Sequence, residues 1–271
     1  MRSSKAWILP VLAAVAAGLM TASAAQATSL GSVDLRYASC APSETGYLYV
    51  NNVNLGNVYV GVYNLEFNTA PGSYSGPLGT ALIDSLVEKN TTMAGSFCID
   101  IHQNAPQGAT FRDYEIVSLD DLYTGDDAYK ANALRSLFKG HWSGVTSDST
   151  AAAAFQAAVW EIINENTGSW KVDYSDGDAV RGSFYVKETS GSNWGGDATA
   201  LLAGLGNYSP ANANVFALVN GTWQDYALIV IPENPDPTEE NGAVPEPITL
   251  AGLFLGLAGV GGYIRRRRGG R

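Results

Sequence analysis

Residues 148–166 read DSTAAAAFQAAVWEIINEN, and they carry the clearest signal for local structure in the chain. Asp148 can cap a helix, the run of alanines favours one, and Thr167-Gly168 can end it. At 3.6 residues per turn the apolar side chains form one wide face, which also contains Gln156. A buried carboxamide without partners costs about 1–3 kcal/mol, so the position of Gln156 requires a physical reason.

Strand signals lie on both sides of this helix. They cover residues 47–50, 58–63, 93–101, 114–119, 170–174, 183–187, 215–219 and 225–231. Asparagines between the first two strands predict a hairpin turn. Residues 68–80 contain three glycines and two prolines and predict a loop.

Two further helices are predicted, over residues 126–139 and 197–205. The first is expected to end at Lys139-Gly140, with His141-Trp142 in a following loop. Strands before and after a central helical pair predict an α+β fold, with a β-sandwich or barrel core and an inserted helical subdomain.

Both ends of the chain have the composition of sorting signals. Arg2 and Lys5 precede an apolar run that closes with small residues, which predicts a signal peptide over residues 1–27. Residues 248–264 are apolar and just long enough to span a bilayer, and the basic tail at 265–271 favours a cytoplasmic end. The extracellular domain is then expected over 28–231, with a proline-rich acidic linker at 232–247.

The linker carries Pro245-Glu246-Pro247 directly before the apolar run and its arginine cluster. These three features in this order resemble the PEP-CTERM sorting signal of Gram-negative bacteria. The resemblance implies an exosortase as partner during sorting, a transient anchor in the inner membrane, and release to the cell surface or the extracellular matrix.

The chain between these signals is strongly acidic. The two ends hold seven of the 16 basic residues and one of the 26 acidic residues, which leaves nine basic and 25 acidic residues and a net charge of −16. This charge disfavours binding to nucleic acid or to an anionic membrane surface.

Cys98 and Gln156 form a candidate reactive pair. Cys98 lies in an apolar predicted strand, and Gln156 lies on the apolar face of the helix. A cysteine thiolate can attack a glutamine carboxamide, expel ammonia and leave an internal thioester. Burial would protect that bond from water until a nucleophile entered.

The segments Phe97-Cys98-Ile99-Asp100 and Phe155-Gln156-Ala157-Ala158-Val159-Trp160 resemble the thioester domain of bacterial surface adhesins. The resemblance implies a thioester-domain-like fold, a Cys98–Gln156 crosslink, and support of the bond by Phe97, Asp100 and Trp160. It also implies covalent capture of an amine, typically a lysine of a partner protein. Capture occurs once per molecule, so we do not expect the protein to be an enzyme. We expect an adhesin or matrix protein that uses no cofactor or metal.

One alternative is a non-reactive structural or carbohydrate-binding matrix protein, with extracellular polysaccharide as its partner. Cys40 and Cys98 are the only cysteines, and in an oxidising compartment such a pair favours a disulfide. A cysteine hydrolase that used Cys98 with His102 or His141 is a weaker alternative, because no signature supplies an orienting acid or an oxyanion site.

Two further patterns favour ordinary surface or core roles. The spacing of Asp173, Asp176 and Asp178 does not match the calcium-binding loop of an EF-hand, so a solvated acidic turn is the simpler interpretation. Aromatic residues able to stack on sugars are more often packed in a core or loop, and this applies to Trp194, Tyr208 and Trp223.

Overall fold

A computed structural model describes residues 28–165, 170–172, 183–189, 191–210 and 213–229. The predicted signal peptide, linker, membrane segment and basic tail lie outside these residues. So do Pro245, Glu246 and Pro247 of the sorting motif, and Asp173, Asp176 and Asp178 of the acidic turn. In the described part of the chain, no helix combines the length and the apolar character needed to cross a membrane.

The first two strands form a long hairpin, as predicted. β1 spans Ser29–Val50 and β2 spans Val53–Phe67. The turn consists of Asn51 and Asn52, whose φ angles are 49° and 64°. Asparagine tolerates this left-handed conformation, and two such residues give the turn whose twist matches the flanking strands.

Six strands close into a ring. β4 spans Met93–Cys98, β5 spans Arg112–Ser118, β7 spans Val215–Val219 and β8 spans Tyr226–Ile229. Antiparallel pairing runs β1–β2–β4–β8–β7–β5 and returns from β5 to β1. Two further strands, β3 at Tyr74–Ser75 and β6 at Phe184–Glu188, pair with β1. The ring is one sheet, so the described strands do not form the two sheets of a sandwich.

The helix α1, at Gly76–Glu88, occupies a region where the sequence predicted a loop as far as residue 80. Pro77 lies in its first turn, where the missing N–H has no helical partner to lose. Gly79 is required by close packing, because a Cβ there would lie 2.6 Å from the Ser32 carbonyl oxygen. Gly76, Pro77 and Gly79 are therefore helix residues packed against β1, whereas Pro71 and Gly72 lie in a turn, as predicted.

The helix α2, at Leu119–Leu122, follows β5, and α3 spans Ala128–Val145. The predicted helix over 126–139 is confirmed, but its predicted end at Lys139-Gly140 is wrong. The helix continues through His141 and Trp142. Gly140 makes room for a neighbour, because a Cβ at this position would lie 2.5 Å from Cε2 of Tyr208.

The helix α4, at Ser149–Asn164, is the centre of the molecule. Its N-cap residue Asp148 accepts a hydrogen bond of 2.7 Å from the backbone N–H of Ala151. Every residue from 152 to 162 is buried. The helix packs against β1, β2, β4, β6 and α3, and against α5 at Trp194–Ala203. A helix enclosed by both the ring and other helices needs apolar side chains all round, which its alanines supply.

The architecture agrees with the predicted α+β class: a mixed fold with an antiparallel sheet and several helices. The helices α2, α3 and α4 lie between β5 and β6 in the chain, as expected for an inserted helical subdomain. The strand predicted over 183–187 is confirmed as β6. Residues 170–172 form no strand, and the rest of that predicted strand lies outside the described residues.

Candidate functional site

The candidate site lies at the end of β4, beyond the point where its pairing with β2 stops. The pairing of β2 with β4 ends at Tyr63 and Ser96, two residues before Cys98. On its other side Cys98 pairs with Tyr226 of β8. In an antiparallel sheet both polar backbone groups of a residue point toward the same side. The N–H and C=O of Cys98 point to the side where the pairing with β2 has already ended, so β2 cannot supply their hydrogen-bond partners.

Gln156 supplies that partner from α4. The backbone N–H of Cys98 donates to Oε1 of Gln156 at 2.8 Å, and Nε2 of Gln156 donates to the Cys98 carbonyl oxygen at 2.9 Å. Both residues are fully buried. The carboxamide takes the place of a peptide group of the missing strand, which gives the physical reason for a glutamine on an apolar helix face.

The Cys98 thiol has three hydrogen-bond partners. Its Sγ donates to the carbonyl oxygen of Asp100 at 3.1 Å. It accepts from Nε1 of Trp160 at 3.3 Å and from Nε2 of Gln224 at 2.8 Å. Two N–H donors directed at one sulfur stabilise negative charge on that atom.

Burial dominates the acid–base behaviour of this thiol. It raises the pKa of Cys98 to about 12, although the hydrogen bond from Trp160 acts in the opposite direction. The negative charges of Asp100 and Asp225 add to the increase in pKa. Burial also raises the pKa of the Asp225 carboxyl group to about 6. The thiol is therefore protonated at neutral pH.

The sequence-predicted supporting residues have distinct positions. Phe97 packs against Phe138, Trp142 and Phe155, with ring centroids 5.9, 5.8 and 4.4 Å away, and so fastens β4 to α3 and α4. Asp100 contacts the sulfur through its carbonyl oxygen, and its side chain accepts from the backbone N–H of His102 at 2.8 Å.

Gln224 is a site residue that the sequence reasoning missed. It lies between β7 and β8, and its backbone N–H donates to the Asn104 carbonyl oxygen at 3.2 Å. The hydroxyl group of Tyr114 donates to the Gln224 carbonyl oxygen at 3.2 Å. Gln224 lies between the turn residues Asn220-Gly221 and the strand predicted from Asp225, so the sequence carries no signal that the closed ring buries this glutamine.

A cavity of about 270 Å³ is lined by Trp160 and Gln224, the two residues whose N–H groups contact the Cys98 sulfur, although Cys98 itself does not line it. Three tyrosines, Tyr37, Tyr59 and Tyr63, form much of the remaining wall. Among the described residues that line this cavity there is no lysine, arginine, aspartate or glutamate. The cavity wall is therefore uncharged and rich in aromatic rings.

Both cysteines are free thiols in the structure. Cys40 lies on β1 opposite Tyr63 of β2, which in turn lies opposite Ser96 of β4. Two strand spacings amount to roughly 10 Å, whereas a disulfide joins Cα atoms less than roughly 7 Å apart. The Cys40–Cys98 disulfide of the alternative interpretation therefore does not fit this arrangement.

The remaining candidates are not brought to the sulfur. Among the described contacts of Cys98 Sγ there is no histidine: His102 is exposed, and His141 lies on α3 against the ring of Tyr208. Trp194 is fully buried, and Trp223 lies beneath the guanidinium of Arg112. The described ranges contain no group of three or more acidic, histidine or cysteine side chains suited to a metal ion.

Comparison of the chain with protein-family models, with curated proteins and with solved structures gave no match in any of the three.

Proposed function

We propose that Cys98 and Gln156 form an internal thioester and that the protein uses this bond to couple itself covalently to a partner amine. The observation that carries the proposal is the pair of hydrogen bonds between the Gln156 carboxamide and the backbone of Cys98. They hold the acyl donor beside the residue that bears the thiol. Orientation of this kind contributes much of the rate of an intramolecular reaction.

Bond formation is balanced within the pair. Cys98 Sγ bonds to Cδ of Gln156, the bond from Cδ to Nε2 breaks, and the thiol proton leaves with the nitrogen as ammonia. Because burial raises the pKa of the thiol, the sulfur attacks only as its proton moves to Nε2, and the same proton transfer turns the nitrogen into a leaving group. Once ammonia has left, its escape makes the reverse reaction slow.

Partner capture reverses the role of the sulfur. A neutral amine attacks Cδ of Gln156, an amide bond forms, the bond to Sγ breaks, and the amine proton ends on the Cys98 thiol. Trp160 Nε1 lies 3.3 Å from the sulfur and can stabilise the charge that develops as Sγ leaves. The reaction consumes the thioester, so each molecule reacts once and does not turn over.

The cavity favours an amine over a hydroxyl nucleophile. A hydroxyl group needs a general base to attack a thioester at useful rates, and no carboxylate or histidine is among the described lining residues. A neutral amine already carries a nucleophilic lone pair. An uncharged wall also favours the neutral form of an amine over its cation.

The sorting features of the sequence give this chemistry a location. A signal peptide, Pro245-Glu246-Pro247, an apolar segment and an arginine cluster are the basis for proposing export, exosortase processing and display at the surface of a Gram-negative bacterium. A thioester-domain-like adhesin or matrix protein fits such a location, because its covalent partner would be another protein with an exposed lysine.

One observation favours a non-reactive matrix protein instead. Both polar atoms of the Gln156 carboxamide already have hydrogen-bond partners, so a purely structural role accounts for its burial. The two functions differ in what they do with a small amine, and this difference defines the test.

The test is uptake of methylamine, followed by intact mass and peptide mapping. The thioester protein should gain one methylamine at Gln156 with loss of the crosslink, and Cys98→Ala should take up none. Cys40→Ala is the matched control and should react like the wild type, because Cys40 is the other free thiol of the domain. Equal uptake by Cys98→Ala, or none by the wild type, would refute the proposal.

A further inference from the structure

We infer that Gln224 is a catalytic residue of amine capture, which stabilises the departing Cys98 sulfur through Nε2 and receives the attacking amine at Oε1. The inference rests on the proposed thioester and assigns a role in that reaction to a residue outside the two motifs.

The first observation is the contact with the reacting atom. Nε2 of Gln224 lies 2.8 Å from Cys98 Sγ, which is closer than the 3.3 Å of Trp160 Nε1. The same nitrogen donates to the Asp100 carbonyl oxygen at 3.2 Å. An amide nitrogen has two hydrogens, so it can make both contacts at once. One hydrogen is therefore directed at the sulfur that gains electrons when the thioester opens.

The second observation is the unpaired oxygen of the same side chain. Gln224 is only 6% exposed, and its Oε1 is buried without a hydrogen-bond partner among the described residues. Buried polar atoms nearly always have a partner, and an exception asks for an explanation. Gln224 both lines the cavity and contacts the sulfur, so an amine that enters this cavity can donate an N–H to the vacant acceptor.

The third observation is that the side chain is attached to a fixed backbone. Both polar backbone groups of Gln224 are hydrogen-bonded, the N–H to Asn104 and the C=O to the hydroxyl group of Tyr114. A group held in place before the reaction needs no reorganisation when charge develops, which is the condition for electrostatic catalysis.

These contacts give each polar atom of the Gln224 carboxamide its own role: Oε1 acts on the attacking amine, and Nε2 acts on the departing sulfur. As the amine nitrogen bonds to Cδ of Gln156, Oε1 of Gln224 accepts one N–H and orients the lone pair. As the bond from Cδ to Sγ breaks, the electron pair moves to the sulfur, where Nε2–H stabilises it. The amine proton then passes to Sγ, which restores the thiol and balances the reaction.

Gln103 differs from Gln224 in one decisive respect. Its Oε1 is also buried without a partner, and it lines the same cavity. The described contacts of Cys98 Sγ do not include Gln103. Of these two glutamines, only Gln224 both lines the cavity and contacts the leaving atom.

The test compares Gln224→Leu and Gln224→Glu with Asn132→Leu, which alters an exposed amide on α3 that does not line this cavity. Intact mass is measured first, to give the fraction of each protein that has lost one ammonia. The rate of methylamine uptake is then measured on that fraction alone. Gln224→Glu keeps the shape and an acceptor but removes the donor, and it serves as the deciding variant if Gln224→Leu does not fold.

We expect both Gln224 variants to contain the crosslink and to take up methylamine about tenfold more slowly or worse, as for loss of one donor to a developing charge. Asn132→Leu should react at the wild-type rate. Wild-type rates in the folded, crosslinked Gln224 variants would overturn this inference and leave the thioester function standing. Absence of ammonia loss from the wild-type protein would overturn both.

Discussion

The side chain of Gln156 forms hydrogen bonds with both backbone polar groups of Cys98, a residue 58 positions away in sequence. One side chain therefore completes the hydrogen bonding of β4 where its pairing with β2 ends, and the same contact holds a carboxamide against the backbone of the residue that bears the thiol. The structural and chemical roles of Gln156 can be separated by experiment, because the first survives removal of the sulfur.

Replacement of Gln156 should therefore destabilise the fold even without the thiol. Gln156→Leu in a Cys98→Ala background leaves a buried N–H and a buried C=O unpaired, and each costs about 1–3 kcal/mol. We expect the free energy of unfolding in urea to fall by about 2–4 kcal/mol relative to Cys98→Ala alone. Gln107→Leu in the same background should change it by less than about 0.5 kcal/mol. Equal stabilities for all three proteins would show that the backbone of Cys98 does not depend on Gln156.

Trp160 should affect the rate of amine capture through its indole N–H. Trp160→Phe removes the donor that lies 3.3 Å from the sulfur, and methylamine uptake should slow by about tenfold. Trp142→Phe is the control, because Trp142 packs on Phe97 and Phe138. Similar slowing in both variants would mean that aromatic packing, and not the donor, governs the rate.

Two glycines of α3 should respond in opposite directions to alanine. Gly140→Ala would place a methyl group 2.5 Å from the Tyr208 ring, and we expect a loss of about 1–3 kcal/mol in the free energy of unfolding. Gly144 has no atom within 4 Å of the position of an added Cβ, so Gly144→Ala should stabilise the helix by about 0.5–1 kcal/mol. Thermal unfolding of both variants measures the difference, and a gain for Gly140→Ala would contradict the packing described.

Asp225 should make the fold less stable as pH rises. Burial raises the pKa of this carboxyl group to about 6 in the folded protein, above the value of about 3.9 for an unfolded chain. The folded state then binds the proton more tightly, so the stability that this group contributes is lost as pH rises from about 4 to 6. Asp225→Asn should gain stability relative to the wild type over that range in urea titrations. A constant difference between the two proteins across pH 4–7 would contradict the raised pKa.

The sequence singled out Cys98 and Gln156 because Gln156 is exceptional among its neighbours. A glutamine on an otherwise apolar helix face requires a buried partner, and Cys98 lies in an apolar predicted strand. What the sequence could not provide is the form of the contact. The carboxamide bonds to the backbone of Cys98, and this depends on β2 ending its pairing at Tyr63.

Other parts of the fold were not predictable, because distant segments give the residues their roles. Gly140 does not end α3. Its lack of a side chain leaves room for Tyr208, which lies far along the chain. Gly79 is a helix residue, and its lack of a side chain allows α1 to pack directly on the backbone of β1. Gln224 follows a predicted turn, and only closure of the ring buries it beside Cys98.

The intact mass of the purified protein, measured without reducing agent and followed by peptide mapping, decides whether the thioester forms. We predict a mass lower by one ammonia and a crosslink that joins Cys98 to Gln156. Cys98→Ala should have its full mass. A wild-type protein with its full mass and an unmodified Gln156 would contradict the thioester, and so would a loss of two hydrogens mapped to Cys40 and Cys98.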